Sequence, residues 1–373
     1  MIGPLAPAQL PQGVRGRFVS GINGLDVHYL EAGFDRPGRP LALLLHGFPE
    51  LAFSWRKIMP ALAEAGFHVI APDQRGYGRT TGWDNAYDCD LSRFAMFNLA
   101  RDAIGLIAAC GHDHAACVIG HDFGAPLAAW CALLRPDLFR ALVLMSAPFP
   151  GPPALSRSRG GNDIDAALAA LARPRKHYQW YYSTATANAD MLRAPQGLAA
   201  FLRAYYHMKS ADWPGNRPFP LRAFEAAELA QMPTYYIMDR DADMAATVAR
   251  AVPDTRALAA CAWLTEAELG IYAGEFARTG FQGGLNWYRA ARGGVGRAEQ
   301  EIFAGRSIEV PALFIAGASD WGVYQVPGNL ERMARVSAQF RGHHLIPGAG
   351  HWVQQEQPAS VMATLGDFLL GCG

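Results

Sequence analysis

A carboxylate stands at the centre of the segment Gly120-His121-Asp122-Phe123-Gly124, between an apolar run and a helical pattern. A nucleophile flanked by small residues at such a strand-to-helix junction is typical of a sharp turn that presents its side chain. Asp122 needs no base to ionise it, because aspartic acid has a pKa of about 3.9 in water. A carboxylate can attack an sp³ carbon and form an ester, whereas a serine in this position attacks carbonyls. Asp is also a preferred N-cap, so the segment alone fits a plain strand-to-helix turn as well.

Two residues near the C-terminus complete a set suited to hydrolysis. Asp320 follows an apolar run at residues 312–316, and His351 follows a weaker strand pattern at residues 339–346. Because all three candidates follow predicted strands, we expect them at one edge of a parallel sheet. The chain order of nucleophile, acid and histidine is that of α/β-hydrolases and differs from that of other triad folds. Taken singly, Asp320 fits a turn residue and His351 fits a structural histidine.

The loop that begins at His46 follows another apolar run, Leu41–Leu45. In an α/β-hydrolase a loop after an early strand supplies one backbone amide for an oxyanion, and the residue after the nucleophile supplies the second. The order of the segments therefore predicts that the amides of Phe48 and Phe123 form an oxyanion hole. On its own, the loop is a plain strand-to-loop turn.

Several elements are needed to position these residues. Continuous apolar runs between helical patterns are typical of a parallel sheet covered on both faces. The predicted strands lie at residues 41–45, 67–71, 116–120, 141–145, 312–316 and 339–346, and a predicted helix lies at residues 358–370. Between them, strand signals are sparse and helical patterns dominate. The sequence therefore predicts an α/β-hydrolase fold with a mostly parallel, doubly wound core at residues 15–149 and 307–373, interrupted by a mostly helical cap at residues 150–306.

Composition excludes several classes of function. The chain has 373 residues, and 33 Lys and Arg balance 33 Asp and Glu, which leaves no net charge to attract a nucleic acid. No apolar stretch reaches the roughly 18 residues that a transmembrane helix needs. The N-terminus does not resemble a signal peptide, and the six cysteines lack CxxC spacing, which suits a reducing compartment. The sequence predicts a cytoplasmic protein that does not bind nucleic acid and does not insert into a membrane.

Two polar clusters raise the question of a metal site. One cluster contains Cys110, His112, Asp113, His114 and Cys117, at a predicted helix-to-strand junction that fits a polar turn beside buried thiols. The other, at residues 239–243, is rich in Asp but lacks the glycine and the distal Glu of a calcium loop. We therefore predict no metal and no cofactor.

Taken together, the motifs resemble an α/β-hydrolase of the soluble epoxide hydrolase type. The matching core stretches lie at residues 45–50, 54–56, 73–78, 120–124, 317–320 and 350–352. In the cap, Tyr178-Gln179-Trp180-Tyr181 and Leu285-Asn286-Trp287-Tyr288-Arg289 are similar to the two tyrosine motifs of that family. The resemblance covers nearly the whole chain beyond Arg15, apart from residues 207–260.

The resemblance implies that the chain opens an epoxide to a vicinal diol without a cofactor. In such enzymes the Asp nucleophile forms an alkyl ester, and two cap tyrosines bind and protonate the epoxide oxygen. Those roles fall on Asp122, Tyr178 and Tyr288, although Tyr181 and Tyr182 are close enough in sequence to compete with Tyr178. A phenol with a pKa of about 10 keeps its proton near pH 7 and can donate it to a departing alkoxide.

Two other functions fit the sequence less well than epoxide hydrolysis. Haloalkane or haloacid dehalogenases share the fold and the Asp nucleophile, but they typically bind halide through a Trp or Arg after the nucleophile, where this chain has Phe123. A non-catalytic binding protein would have lost Asp122, Asp320 or His351, and all three are present. The expected partners are a mostly apolar epoxide and water, and a homodimer is compatible with the sequence.

Overall fold

The computed structural model describes residues 2–155 and 163–372, and its centre is an eight-stranded sheet. Strands β1 to β6 are Val14–Ile22, Leu25–Ala32, Leu41–Leu45, His68–Pro72, Ala115–His121 and Leu142–Met145, and the last two strands of the sheet are Ile308–Gly317 and Ser337–Ile346. A separate pair, β7 at Arg175–His177 and β8 at Ile237–Asp239, lies between them in the chain, so the last two strands are β9 and β10.

The sheet is mostly parallel, as predicted. Its strand order is β1-β2-β4-β3-β5-β6-β9-β10. Strand β2 is antiparallel to both β1 and β4, and every pairing from β4 to β10 is parallel. Because β3, β5, β9 and β10 run in one direction, their carboxyl ends share one edge, where open α/β sheets bind their ligands.

Helices cover the sheet and form most of the cap. Helices α1 to α3 are Met59–Glu64, Met96–Ala109 and Gly124–Leu134. Helices α4 to α13 follow β6 and precede β9; they are Ile164–Ala169, Tyr178–Tyr182, Ala187–Leu192, Leu198–Lys209, Ala226–Leu229, Met244–Ala249, Thr255–Ala260, Glu266–Thr279, Gln282–Arg292 and Arg297–Glu301. Helices α14 to α16 are Asn329–Val336, Val353–Glu356 and Pro358–Leu370. Short 3₁₀ turns lie at Pro7–Gln9, Ala52–Trp55, Leu91–Phe94 and Trp321–Tyr324.

The apolar runs of the sequence account for the central strands. All five residues of β3 and all four of β6 are buried, as expected of parallel strands packed on both faces. The six predicted strands are present, with ends shifted by four residues or fewer. The hairpin β1–β2 was not predicted, because β1 is buried only at its two ends, is half-buried or exposed between them, and has no continuous apolar run.

The chain between β6 and β9 is mostly helical, with one exception. Strands β7 and β8 pair as a short antiparallel ribbon, with Lys176 opposite Met238. Strand β8 comes from the segment at residues 207–260 that matched the family motifs poorly, so this segment is integrated into the cap. None of the helices in the described parts of the chain is long and apolar enough to cross a membrane.

Candidate active site

Asp122 lies on the sharp turn between β5 and α3 and has a left-handed backbone with a φ of 51°. Such a conformation is uncommon outside glycine and persists only where the surroundings enforce it. A Cβ atom at Gly124 would lie 2.1 Å from the carbonyl oxygen of Leu45, and one at Gly47 would lie 2.3 Å from Cβ of Asp122. Glycines at these two positions therefore allow the turn and the loop after β3 to approach each other closely.

The two carboxylate oxygens of Asp122 have different partners. Oδ1 accepts a hydrogen bond of 2.9 Å from the backbone N–H of Phe48, and Oδ2 lies 3.3 Å from Nε2 of His351. Burial opposes the charge of Asp122, but the adjacent imidazole of His351 outweighs burial, so the pKa of this carboxyl lies well below its usual range. Asp122 is therefore ionised near neutral pH.

Asp320 and His351 form a second buried pair. Nδ1 of His351 lies 3.1 Å from Oδ1 of Asp320, which also accepts a 2.7 Å hydrogen bond from the backbone N–H of Gly322. Burial opposes ionisation of Asp320, but the charge and hydrogen bond of His351 outweigh it and lower its pKa. With Nδ1 facing Asp320, Nε2 faces Asp122 and is available to take a proton from a water molecule.

The backbone around His351 is anchored on both sides. Its N–H donates to the carbonyl of Lys209, the last residue of α7, over 2.8 Å. Its carbonyl accepts hydrogen bonds from Nε2 of His121 at 2.7 Å and from Oγ of Ser146 at 3.1 Å. The segment that carries His351 is thus tied to the cap and to the turn that carries Asp122.

Two tyrosines face Asp122 from the cap. Tyr178 opens α5, Tyr288 lies in α12, and their ring centres are 5.9 Å apart in an edge-on arrangement. Both line a cavity of about 200 Å³ together with Asp122 and Phe123. The rest of its wall comprises Pro126, Ala147, Pro148, Gln179, Gly322, Val323, Gln325, Val326 and Asn329. Among these described lining residues Asp122 has the one acidic or basic side chain, and the rest of the wall carries no group that would pair with an anion.

The structure separates Tyr178 from the neighbouring tyrosines. The hydroxyl of Tyr181 donates to Asp190 over 3.1 Å, and that of Tyr182 pairs with the hydroxyl of Tyr205 at 2.9 Å. Neither residue lines the cavity, whereas Tyr178 does. Burial raises the pKa of Tyr178, and the charge of Asp122 raises it further, so the phenol keeps its proton at neutral pH.

Comparison with known proteins identifies the family of the chain. Residues 40–167 match the sequence model of the alpha/beta hydrolase fold. Epoxide hydrolase A of Mycobacterium tuberculosis is 37% identical over 360 residues, which cover 94% of this chain and 95% of that protein. The chain belongs to the epoxide hydrolase family. An epoxide hydrolase of Caballeronia sordidicola is 30% identical, over 93% of this chain and 91% of the relative.

Solved structures of epoxide hydrolases share the fold over nearly the whole chain. An epoxide hydrolase from an endophytic Streptomyces superposes with a TM-score of 0.76 at 31% identity, covering 97% of this chain and 96% of that one. Epoxide Hydrolase A from Mycobacterium thermoresistibile gives a TM-score of 0.73 at 36% identity, covering 95% and 98%. The prediction of an α/β-hydrolase fold in this family is therefore confirmed.

In this member of the epoxide hydrolase family, the predicted site residues meet at one cavity or directly behind it. The Phe48 amide donates to Asp122, and Phe123 forms the N-cap of α3 beside it. The cluster considered for metal binding is dispersed: His112 contacts His68 at 2.8 Å, and Cys117 is buried in β5. No group of three or more His, Cys, Asp or Glu in the described residues is arranged to hold a metal ion.

Sequence reasoning missed several supporting residues. Glu356 accepts hydrogen bonds from the backbone N–H groups of Gly350 at 2.8 Å and Trp352 at 2.9 Å, on either side of His351, and of Ala211 in the cap at 2.8 Å. Glu50 is fully buried and contacts His121; burial opposes the charge of His121, but Glu50 outweighs it and raises its pKa. Glu50 lies within the matching stretch at residues 45–50, and Glu356 follows the one at residues 350–352. The motifs therefore pointed to both regions, but they assigned no role to either acid.

Lys209 is a further buried group that the sequence did not single out. Its ammonium lies 4.8–5.8 Å from the ring centres of Tyr205, Tyr235, Tyr236 and Trp352. Burial lowers its pKa, and the charges of Asp122, Asp320 and Glu50 oppose that shift. Two of the four rings come from the poorly matched cap segment, which explains why no motif revealed this arrangement.

Proposed function

We propose that this chain hydrolyses a neutral epoxide to a vicinal diol through an ester on Asp122. The observation that carries the proposal is one cavity that places an ionised carboxylate opposite two protonated tyrosines, with a histidine–aspartate pair behind it. Membership of the epoxide hydrolase family supports the same reaction.

In the first step we assign the attack to Oδ2 of Asp122. Oδ1 is held by the Phe48 amide and becomes the carbonyl oxygen of the ester. Oδ2 forms a bond to one epoxide carbon while the bond from that carbon to the epoxide oxygen breaks. Tyr178 and Tyr288 bind this oxygen and supply the proton that it needs, a contribution of about 10²–10⁴-fold for a positioned acid.

In the second step His351, oriented by Asp320, removes a proton from a water molecule, which attacks the carbonyl carbon of the ester. The amides of Phe48 and Phe123 stabilise the oxyanion on the former Oδ1. The tetrahedral intermediate collapses, the diol leaves and the carboxylate is restored. These steps need no cofactor.

The alternative of a dehalogenase has weaker support. Phe123 lines the cavity beside the nucleophile and has no side-chain N–H to bind a halide. The cap tyrosines, in contrast, have a direct use with an epoxide, whose oxygen must be protonated.

Three further expectations accompany the proposal. The division into a core at residues 15–149 and 307–373 and a cap at residues 150–306 fits the order of strands and helices. A cytoplasmic location and a homodimer stay predictions.

A single-turnover experiment in ¹⁸O-labelled water tests the mechanism. Excess enzyme is mixed with styrene oxide, cyclohexene oxide or propylene oxide, and the diol and the protein are analysed by mass spectrometry. We expect unlabelled diol in the first turnover and label in the peptide that contains Asp122, because water attacks the ester carbonyl. Labelled diol in the first turnover would show direct attack by water, and halide release from haloalkanes without any diol would favour a dehalogenase.

A further inference from the structure

The two cap tyrosines differ in what their hydroxyl groups contact. The side-chain N–H of Gln179 donates to the hydroxyl oxygen of Tyr178 over 3.1 Å. Tyr288 packs against the rings of Phe48, Phe123 and Tyr182, and among the described residues its hydroxyl has no hydrogen-bond partner. Both hydroxyls belong to side chains that line the cavity of Asp122.

The backbone beneath Gln179 is fixed. Its N–H donates to Nδ1 of His177, the N-cap of α5, over 3.3 Å, and its carbonyl accepts a 2.8 Å hydrogen bond from Oγ of Ser183. The N–H of Tyr178 donates to the carbonyl of Tyr236 over 2.8 Å. Tyr178 and Gln179 are therefore held as a pair on the first turn of the helix.

A phenol has one proton to donate and lone pairs that accept. When the Gln179 N–H occupies one side of the Tyr178 oxygen, the phenolic proton is directed to the other side and stays available to an acceptor in the cavity. Tyr288 has no such partner to orient its proton.

We propose that Gln179 is a positioning residue that makes Tyr178 the proton donor in ring opening and leaves Tyr288 to bind the epoxide oxygen. The inference rests on the proposed function and divides the work of the two tyrosines. It adds a residue outside the set of acid, base and nucleophile.

The proton balance of the reaction agrees with this division. As Asp122 bonds to carbon and the carbon–oxygen bond breaks, the epoxide oxygen takes the Tyr178 proton with its new electron pair. Tyr178 becomes a phenolate, and the Gln179 N–H then donates to a charged oxygen, which strengthens the bond in the transition state. The ester has removed the charge of Asp122 by then. The water consumed later carries two protons, of which one completes the diol and the other restores Tyr178.

A double-mutant cycle tests the assignment. Gln179→Met keeps the length of the side chain and removes the N–H donor. The substitution is introduced into the wild-type protein and into the Tyr178→Phe and Tyr288→Phe variants. The rate of ester formation is measured by single-turnover kinetics with an epoxide from the panel above. We expect Q179M to slow it about 10- to 100-fold in the wild-type and Tyr288→Phe backgrounds, the loss expected for a hydrogen bond to a charged group. In the Tyr178→Phe background Q179M should have no effect, and the rate of ester hydrolysis should be unchanged throughout.

Gln325→Met is the matched control, because Gln325 is a carboxamide of the same cavity wall, while the side-chain hydrogen bond to the Tyr178 hydroxyl comes from Gln179. Its effect should be the same in all three backgrounds. Gln179→Leu replaces Q179M if the latter does not fold. Equal slowing by Q179M in every background would mean that Gln179 contacts the substrate instead of acting through Tyr178. An unchanged or faster rate of ester formation would mean that Gln179 does not direct the Tyr178 proton. Either result overturns the inference.

Failure of the proposed function is a separate outcome. If His351→Gln accumulates no ester with any of the three epoxides, the ester mechanism itself fails and the inference fails with it. If ester accumulates, the cycle alone decides whether Gln179 acts through Tyr178.

Discussion

The core half and the cap half of the candidate site are held in place by different interactions. In the core half, Asp122, Asp320 and His351 are charged or polar, and each has at least two hydrogen-bond or ion-pair contacts. In the cap half, Tyr178 and Tyr288 are neutral and are positioned mainly by aromatic rings.

The physical reason for the difference is the cost of burying charge. A buried carboxylate or imidazolium is stable only when it is paired and hydrogen-bonded, so the core half requires many fixed partners. A buried phenol is neutral and is positioned by packing, with one hydrogen bond adding direction. The core half therefore determines which site residues are charged, and the cap half determines where the departing epoxide oxygen can lie.

The largest loss of activity is expected for a variant of Asp122, the proposed nucleophile in the core half. Asp122→Asn keeps the shape of the side chain but removes the charge, so we expect diol formation to fall by at least about 10⁴-fold, as for other knocked-out nucleophiles. Diol is measured by chromatography under multiple-turnover conditions.

Two controls accompany that variant. Thermal unfolding followed by circular dichroism should show that the protein still folds. Intact mass must exclude deamidation of Asn back to Asp. A folded D122N protein with activity near wild type and no deamidation would contradict the assignment of the nucleophile.

The second prediction separates the two steps within the core half. His351→Gln removes the base but leaves Asp122 able to attack, so ester should form and its hydrolysis should slow by about 10²–10⁴-fold. Intact-mass spectrometry should show a protein heavier by one substrate mass. Loss of activity without an adduct, on a substrate that wild type converts, would mean that attack and hydrolysis are not separate steps.

The core half could be predicted from the sequence because its residues follow strands with strong apolar runs. Buried parallel strands such as β3 and β5 leave a clear pattern, and the short segments after them carry the chemistry. The hairpin β1–β2 was missed, although Asn23-Gly24 between its strands, with φ values of 50° and 83°, is a strong hairpin turn. Periodic signals of exposed strands are weaker than those of buried ones.

The cap half could not be predicted from pattern alone. Tyr178 and Tyr288 are two of 13 tyrosines, and their positions came from motif resemblance. The contacts of Lys209 and Glu356 link segments more than 100 residues apart, Lys209 with Trp352 and Ala211 with Glu356. Only the tertiary structure brings such groups together.

The third prediction addresses the cap half with smaller effects. Tyr178→Phe removes the proposed proton donor and should slow ester formation by about 100-fold, whereas Tyr288→Phe removes a hydrogen bond to the oxygen and should slow it by about 10-fold; the double variant should lose more than either. Single-turnover kinetics isolates this step from ester hydrolysis. The assignment of the two tyrosines to ring opening would be contradicted if either variant slowed hydrolysis of the ester instead, or if Tyr181→Phe slowed ester formation as much as Tyr178→Phe.

The smallest effect concerns a buried carboxylate that supports the core half at a distance from the cavity. Asp73, 3% exposed at the end of β4, contacts Nδ1 of His28 at 2.8 Å and accepts 2.9 Å hydrogen bonds from the amides of Ala52 and Arg79. Burial opposes its charge, but these partners outweigh burial and lower its pKa from 3.8 to about 2. A carboxyl whose pKa is lowered in the folded state stabilises that state at pH values above its ordinary pKa, and this stabilisation is lost as the pH falls toward 2. Asp73→Asn should therefore cost about 2 kcal/mol of unfolding free energy at pH 7 and less at pH 3. Urea unfolding at pH 7, 5, 4 and 3 measures the difference, with the exposed Asp88→Asn as a control that should change little at any pH. A difference between wild type and D73N that stays constant down to pH 3 would show that Asp73 acts through its shape and not through its charge.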